Sequence, residues 1–275
     1  MKTGVVRRNL RRGVYVVPTS LTVLNIFFGF VAILLSIRGF VANSAGDAIE
    51  AGERFQLACG ALLVAAIFDT FDGFVARLMH ATSEFGKEYD SLADVVTFGA
   101  APAILVWAWA LNLFPRLGGG IAFLFLVGGS LRLARFNIQT AKADHRYFVG
   151  LPIPAGALTI AAIINYAPAP VTDERFAAII LLVVIGLAFA MVSTVRYRSQ
   201  KYANLQRERS GMYFLVFALI LALLFKWPAQ FFFLAAIAYV SSGPLLRLWS
   251  IAFPSRQPLA QQAEELDIDP DDTTP

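Results

Sequence analysis

Stretch after stretch of this chain is apolar for longer than a soluble core can use. Eight segments, near residues 19–38, 55–79, 93–113, 120–137, 153–168, 176–194, 211–226 and 230–249, are apolar and separated by charged or turn-rich residues. A helix rises about 1.5 Å per residue, so roughly 20 apolar residues cross the ~30 Å hydrocarbon core of a bilayer. Lipid offers backbone N–H and C=O groups no partner, so spanning segments are helices. The expectation is an all-α, polytopic integral-membrane bundle of about eight transmembrane helices. Composition agrees: 57% of the 275 residues are hydrophobic and 15% charged, where soluble domains carry about 25% charged residues. Cys59 is the only cysteine, which rules out a disulfide scaffold. The same composition argues against a disordered chain and against a nucleic-acid partner.

The net charge of +4 follows from where the cations sit. Lys2, Arg7, Arg8, Arg11 and Arg12 precede the first span; Arg196, Arg198, Lys201, Arg207 and Arg209 follow the sixth. With eight spans these segments share a side with Lys87, Lys142, Arg146, Arg247 and Arg256. The other side keeps Arg38, Arg54, Arg116, Arg175 and Lys226. Lys and Arg accumulate in cytoplasmic loops, so both termini are expected in the cytoplasm. The first span, about twenty residues without a clear small-residue cleavage site, reads as a membrane helix rather than a signal peptide. The expected organisation is a basic segment over 1–18, a six-span core over 19–200, two further spans over 201–250, and a disordered acidic tail over 251–275.

Between Ile67 and Val95 lie four aspartates, Asp69, Asp72, Asp90 and Asp94, in or beside membrane spans. An ionised carboxylate at a helix centre costs about 2.5–3.5 kcal/mol even on the most lenient scale, so such groups are rare and line polar cavities. Asp69 and Asp72 are three residues apart; Asp90 and Asp94 are four apart. Each pair therefore shares one face of its helix, and a short loop can turn the two faces together. Four converging carboxylates repel unless cations intervene. Hard divalent ions with oxygen ligands, Mg²⁺ or Mn²⁺, suit them, and a pair of such ions can clamp a diphosphate during in-line displacement. Gly73 lets a ligand approach the helix backbone. Arg77, one turn on, can pair with phosphate. Gly86 is read as relaxing the connecting loop, and Asp90 and Asp94 as opening the third span near the positive end of its dipole. Two rivals remain: structural ion pairs with Arg77 and Lys87, and a proton or cation relay of a cation-coupled transporter. Neither explains the two glycines.

The pattern Asp69-x₂-Asp72-Gly73-x₂-Ala76-Arg77-x₈-Gly86-x₃-Asp90-x₃-Asp94 resembles the CDP-alcohol phosphotransferase signature at every fixed position. The resemblance implies a membrane enzyme that displaces CMP from a CDP-linked lipid with an alcohol. It implies two divalent ions, with Asp69, Asp72 and Asp90 as metal ligands and Asp94 as general base and ligand of the second metal. It also implies that Gly73, Arg77, Ser83 and Gly86 serve the CDP-lipid, and that the protein is a homodimer. PTSLTVLNIFFGFVAI from Pro18, DSLADVVTFGAAPA from Asp90, LRLARFN (131–137) and YFVGLPIPAGA (147–157) look like the serine-accepting branch of that family. That branch uses CDP-diacylglycerol and L-serine and yields phosphatidylserine and CMP. Choline, glycerol 3-phosphate or an inositol is the alternative acceptor. The expected setting is a bacterial inner membrane.

Serine's hydroxyl needs a base to become a nucleophile at neutral pH. Asp94 is the candidate, attacking chemistry being directed at the β-phosphate without a phosphatidyl-enzyme. Cys59 sits within a span, and His80 and His145 have no evident serine partner. For serine's carboxylate, Arg132 and Arg135 are both placed to form a bidentate pair, and Arg135 with Asn137 is the favoured pair; snorkelling to lipid phosphate is the plainer alternative. Thr22 and Asn25 either face the nucleotide or join helices by hydrogen bonds. Gly118, Gly119 and Gly120 suggest a turn, and Gly128 and Gly129 close helix packing.

Overall fold

The computed structural model describes residues 3–78, 84–139, 147–193, 196–198 and 226–252. Helix α1 runs Thr3–Ser44 and α2 runs Ala48–Leu78. The third apolar span is three windings in succession: α3 (Glu84–Asp94), a π-helical turn (Val95–Ala100) and α4 (Ala101–Trp109). After a short 3₁₀ turn, Leu111–Leu113, come α5 (Leu117–Gln139), α6 (Ile153–Tyr166), α7 (Glu174–Val192) and α8 (Pro228–Ala252). Among the described residues, five helices are long and apolar enough to cross a membrane: Ser20–Ser44, Ala48–Val75, Glu84–Trp109, Leu117–Ile138 and Glu174–Val192. Ile153–Tyr166 and Pro228–Gly243 are apolar but shorter. The seventh expected span lies, up to residue 225, outside the described residues, as does the tail from residue 253.

Two features depart from the expected pattern. Helix α1 continues back through the basic segment to Thr3, because arginines and lysines are good helix formers once outside the hydrocarbon. Three-residue strands, β1 (Tyr147–Val149) and β2 (Arg196–Arg198), pair antiparallel and tie the approach to α6 to the segment after α7.

Helices α1 and α2 form a hairpin whose turn spans only Ala45–Asp47. Gly46 takes φ 88°, a left-handed conformation that glycine adopts without steric cost, and Asp47 Oδ1 accepts from the Glu50 N–H at 2.9 Å, capping α2. On α2, Ala51, Phe55, Ala58, Leu62 and Ala65 recur every three or four residues and are fully buried. Small residues let helices approach closely, which is how helices associate where lipid removes the hydrophobic drive. A Cβ at Gly39 would meet the Phe55 ring at 2.6 Å. Gly128 packs α5 on α7, where a Cβ would stand 3.0 Å from the Ala188 carbonyl, and one at Gly129 would meet Ile153. Gly118 sits in the first turn of α5, its N–H bonded to the Phe114 carbonyl at 2.8 Å. Trp109 closes the far end of α4, donating from Nε1 to the Ala169 carbonyl at 2.8 Å.

Candidate metal centre

The end of the bundle opposite the Gly46 turn gathers the carboxylates. Asp69 and Asp72 lie on the last third of α2, Asp90 and Asp94 on α3. One carboxylate oxygen from each of Asp69, Asp72 and Asp90 falls within 4.8 Å of the others. Asp94 joins them through a hydrogen-bonding contact with Asp69. Asp72 is buried at 4% exposure, and Thr22 Oγ1 of α1 donates to its Oδ2 at 3.0 Å. Thr22 thus joins two helices and orients a carboxylate at once. Asp90 Oδ1 and Asp94 Oδ1 are buried without a hydrogen-bond partner.

The helix frame corrects two expectations. The third span begins at Glu84, so Asp94 lies ten residues on, roughly 15 Å along the axis. Asp90 and Asp94 therefore do not open the span, and the dipole's influence fades within its first turn. Gly86 belongs to the first turn of α3 rather than to a loop. Ser83 lies outside the described residues, and of Arg77 only the backbone, in the last turn of α2, is described. His80 and His145 also lie outside them. Of the ion-pair alternative, Lys87 is exposed and the Arg77 side chain lies outside the described residues; the ion pair among the described residues is Arg54–Glu50 at 2.9 Å, far along α2.

Directly below Asp94 the helix widens into the π turn, a rare winding found often at functional sites. It buries Thr97, Phe98 and Gly99. Thr97 Oγ1 donates to the Asn25 carbonyl at 3.3 Å, and Gly29 faces Thr97 so closely that a Cβ would lie 2.8 Å from its Cα. Nothing in the apolar run after Asp94 announces this turn. Asn25 itself is fully buried, and neither end of its side-chain amide has a partner.

Of the two candidate arginines, Arg132 is the buried one, at 8% exposure. It lies in electrostatic range of Asp94 and of Tyr239 on α8, and its guanidinium carbon stands 5.5 Å from the Phe136 ring centroid. Arg135 is half-buried. Asn137 is exposed and donates from Nδ2 to Ser91 Oγ at 2.9 Å, bracing α5 against α3. Residue spacing alone does not separate Arg132 from Arg135, because they share a helix face; the difference lies in the tertiary packing of α5.

The donor set fits divalent cations. All four groups are carboxylates, hard oxygen ligands; two have orphaned buried oxygens, and two touch, an arrangement that cations relieve. Fold and site together define a helical protein with several helices able to cross a membrane and, at one end, a cluster of carboxylates that could hold a metal ion. Comparison with known sequences then narrows the class. The family profile described as CDP-alcohol phosphatidyltransferase matches residues 15–195, and the chain belongs to that family. It is similar to the CDP-diacylglycerol–serine O-phosphatidyltransferase of Helicobacter pylori (strain ATCC 700392 / 26695), with 34% identity covering 78% of this chain and 84% of the relative. The protein of that name from Methanocaldococcus jannaschii is 33% identical over 84% of this chain and 94% of its own. The archaetidylserine synthase of Methanothermobacter thermautotrophicus is 36% identical over 66% of this chain and 68% of its own.

Proposed function

We propose that this chain transfers the phosphatidyl group of CDP-diacylglycerol to the hydroxyl of L-serine, forming phosphatidylserine and CMP. The observation that carries the reading is the convergence of Asp69, Asp72, Asp90 and Asp94 at one end of a membrane bundle. It is supported by relatives whose names specify serine as acceptor. A transporter reading accounts for buried carboxylates but not for membership of this family.

Asp69, Asp72, Asp90 and Asp94 would hold two ions, Mg²⁺ or Mn²⁺. Such ions, when bound, neutralise the diphosphate and the departing phosphate of CMP. The remaining work falls to the chain itself. Thr22 fixes Asp72 in place, so one wall of the cage is set before substrate arrives. Gly73 and Gly86 leave room for the nucleotide diphosphate, with Arg77 and Ser83 as its polar contacts. Asp94 receives the serine hydroxyl proton as the serine oxygen attacks the β-phosphorus. One P–O bond forms, the P–O bond to CMP breaks, and CMP departs with the electron pair. Holding the reacting groups in line, within a site largely shielded from bulk water, is the main contribution of the bundle.

Around this core we infer about eight membrane spans, both termini on the cytoplasmic side, a homodimer, and residence in a bacterial inner membrane. The deciding assay is CMP release from CDP-diacylglycerol by the detergent-purified protein, with Mg²⁺ or Mn²⁺, with and without L-serine. Serine-dependent release is the expected result. Release with choline, glycerol 3-phosphate or inositol in place of serine would retain the chemistry and change the acceptor.

A further inference from the structure

We infer that Arg132 receives the carboxylate of the acceptor amino acid beside Asp94. This rests on the serine-transfer reading and goes beyond it by locating the selection of the acceptor. A guanidinium stays charged at any physiological pH. Arg132 is almost wholly buried, yet its Nε has no hydrogen-bond partner. A buried guanidinium N–H without a hydrogen-bond partner is costly and suits a hydrogen-bond acceptor brought by a ligand. The four carboxylates and the diphosphate of the CDP-lipid already face the two proposed metal ions, so the acceptor's carboxylate is the anion with no cation assigned to it.

The chemistry of the acceptor fits this placement. In serine the carboxylate carbon is separated from the reacting oxygen by only two carbons. An arginine holding the carboxylate therefore holds the hydroxyl close by, and Arg132 is in electrostatic range of Asp94, the proposed base. Its planar fork can take a carboxylate through two parallel hydrogen bonds. Phe136 lies one turn along α5, 5.5 Å from the guanidinium, and offers its ring to the cation. Asn137, expected to share the serine site, instead has its amide on Ser91.

The test compares two acceptors in the CMP-release assay: L-serine and serinol, the same amino alcohol with a hydroxymethyl group in place of the carboxylate. Wild-type protein should prefer L-serine. Arg132→Gln should lower kcat/KM for L-serine about 100-fold and for serinol no more than a few-fold, since a lost charged anchor is felt only by the acceptor that carries the anion. Arg132→Lys should recover part of the serine activity. Equal losses on both acceptors in Arg132→Gln, or a wild type that uses serinol as well as L-serine, would overturn the inference and leave serine transfer standing. A wild type that releases no CMP with L-serine would overturn the underlying reading instead.

Discussion

The α1–α2 hairpin is two different interiors joined end to end. Towards the Gly46 turn it is dry and complete: Gly39 lies on Phe55, and Ala51, Ala58 and Leu62 are fully buried. Towards the other end the same two helices bury Thr22, Asn25 and Asp72, and not every polar atom is satisfied. The first interior is what close packing of small residues produces in a membrane. The second is unstable by itself, because buried polar groups without partners cost free energy. Ligands, ions or ordered water complete such an interior. The contrast separates the residues that make the fold from those that make the site.

Removing the ligands is the strongest way to sharpen that contrast. Chelation should abolish CMP release, and added Mn²⁺ or Mg²⁺ should restore it; turnover that persists in excess chelator would end the two-ion account. Asp94→Asn comes next, with a loss of about 10⁴-fold in kcat, towards the upper end of what general-base removal costs. Binding of CDP-diacylglycerol should largely survive, because the other three carboxylates remain. Asp90→Asn should instead weaken metal-dependent nucleotide binding, read as a raised metal concentration for half-maximal activity. Near-normal turnover in Asp94→Asn would move the base elsewhere.

The dry end should fail differently. A Cβ at Gly39 would stand 2.6–3.0 Å from atoms of the buried Phe55 ring, so Gly39→Ala forces α1 and α2 apart at about 1–3 kcal/mol. The measurement is the thermal unfolding midpoint in detergent, alongside kcat of the folded fraction. A lowered midpoint with kcat retained keeps the two ends separate. A parallel fall in kcat would show that packing at the turn also sets the geometry of the cage.

How far the sequence reveals this molecule follows the same division. The four aspartates are legible because carboxylates in apolar spans are rare and their spacing fixes a helix face. The apolar spans are legible for a similar reason, although their ends are not. Arg38, Glu50 and Arg54 look like loop residues, yet α1 and α2 continue through them, with Glu50 and Arg54 paired one helical turn apart. Helices outlast the hydrocarbon, and hydropathy marks only the part inside it. The π turn after Asp94 and the burial of Arg132 are hidden for another reason. Both depend on residues distant in the chain: Asn25 and Gly29 against Thr97, and for Arg132 the helices that pack around α5. No local pattern carries that information.

Asn25 offers the smallest and most discriminating break. It is fully buried between the two interiors, with neither amide atom hydrogen-bonded. If Asn25 belonged to the packing interior, its replacement by the similarly sized Leu would remove an unsatisfied amide and leave catalysis alone. If it belongs to the site, the same change should stabilise the fold and harm the enzyme together. We expect the latter: Asn25→Leu raises the thermal midpoint, while KM for CDP-diacylglycerol rises about tenfold, the equivalent of one or two lost hydrogen bonds. Adding the CDP-lipid should then raise the midpoint of wild type by more than that of the variant, because stabilisation by a ligand grows with the logarithm of its concentration over its Kd. A variant that gains stability yet responds to CDP-lipid as wild type does would assign Asn25 to helix packing, and would move the boundary between the two interiors one turn closer to Asp72.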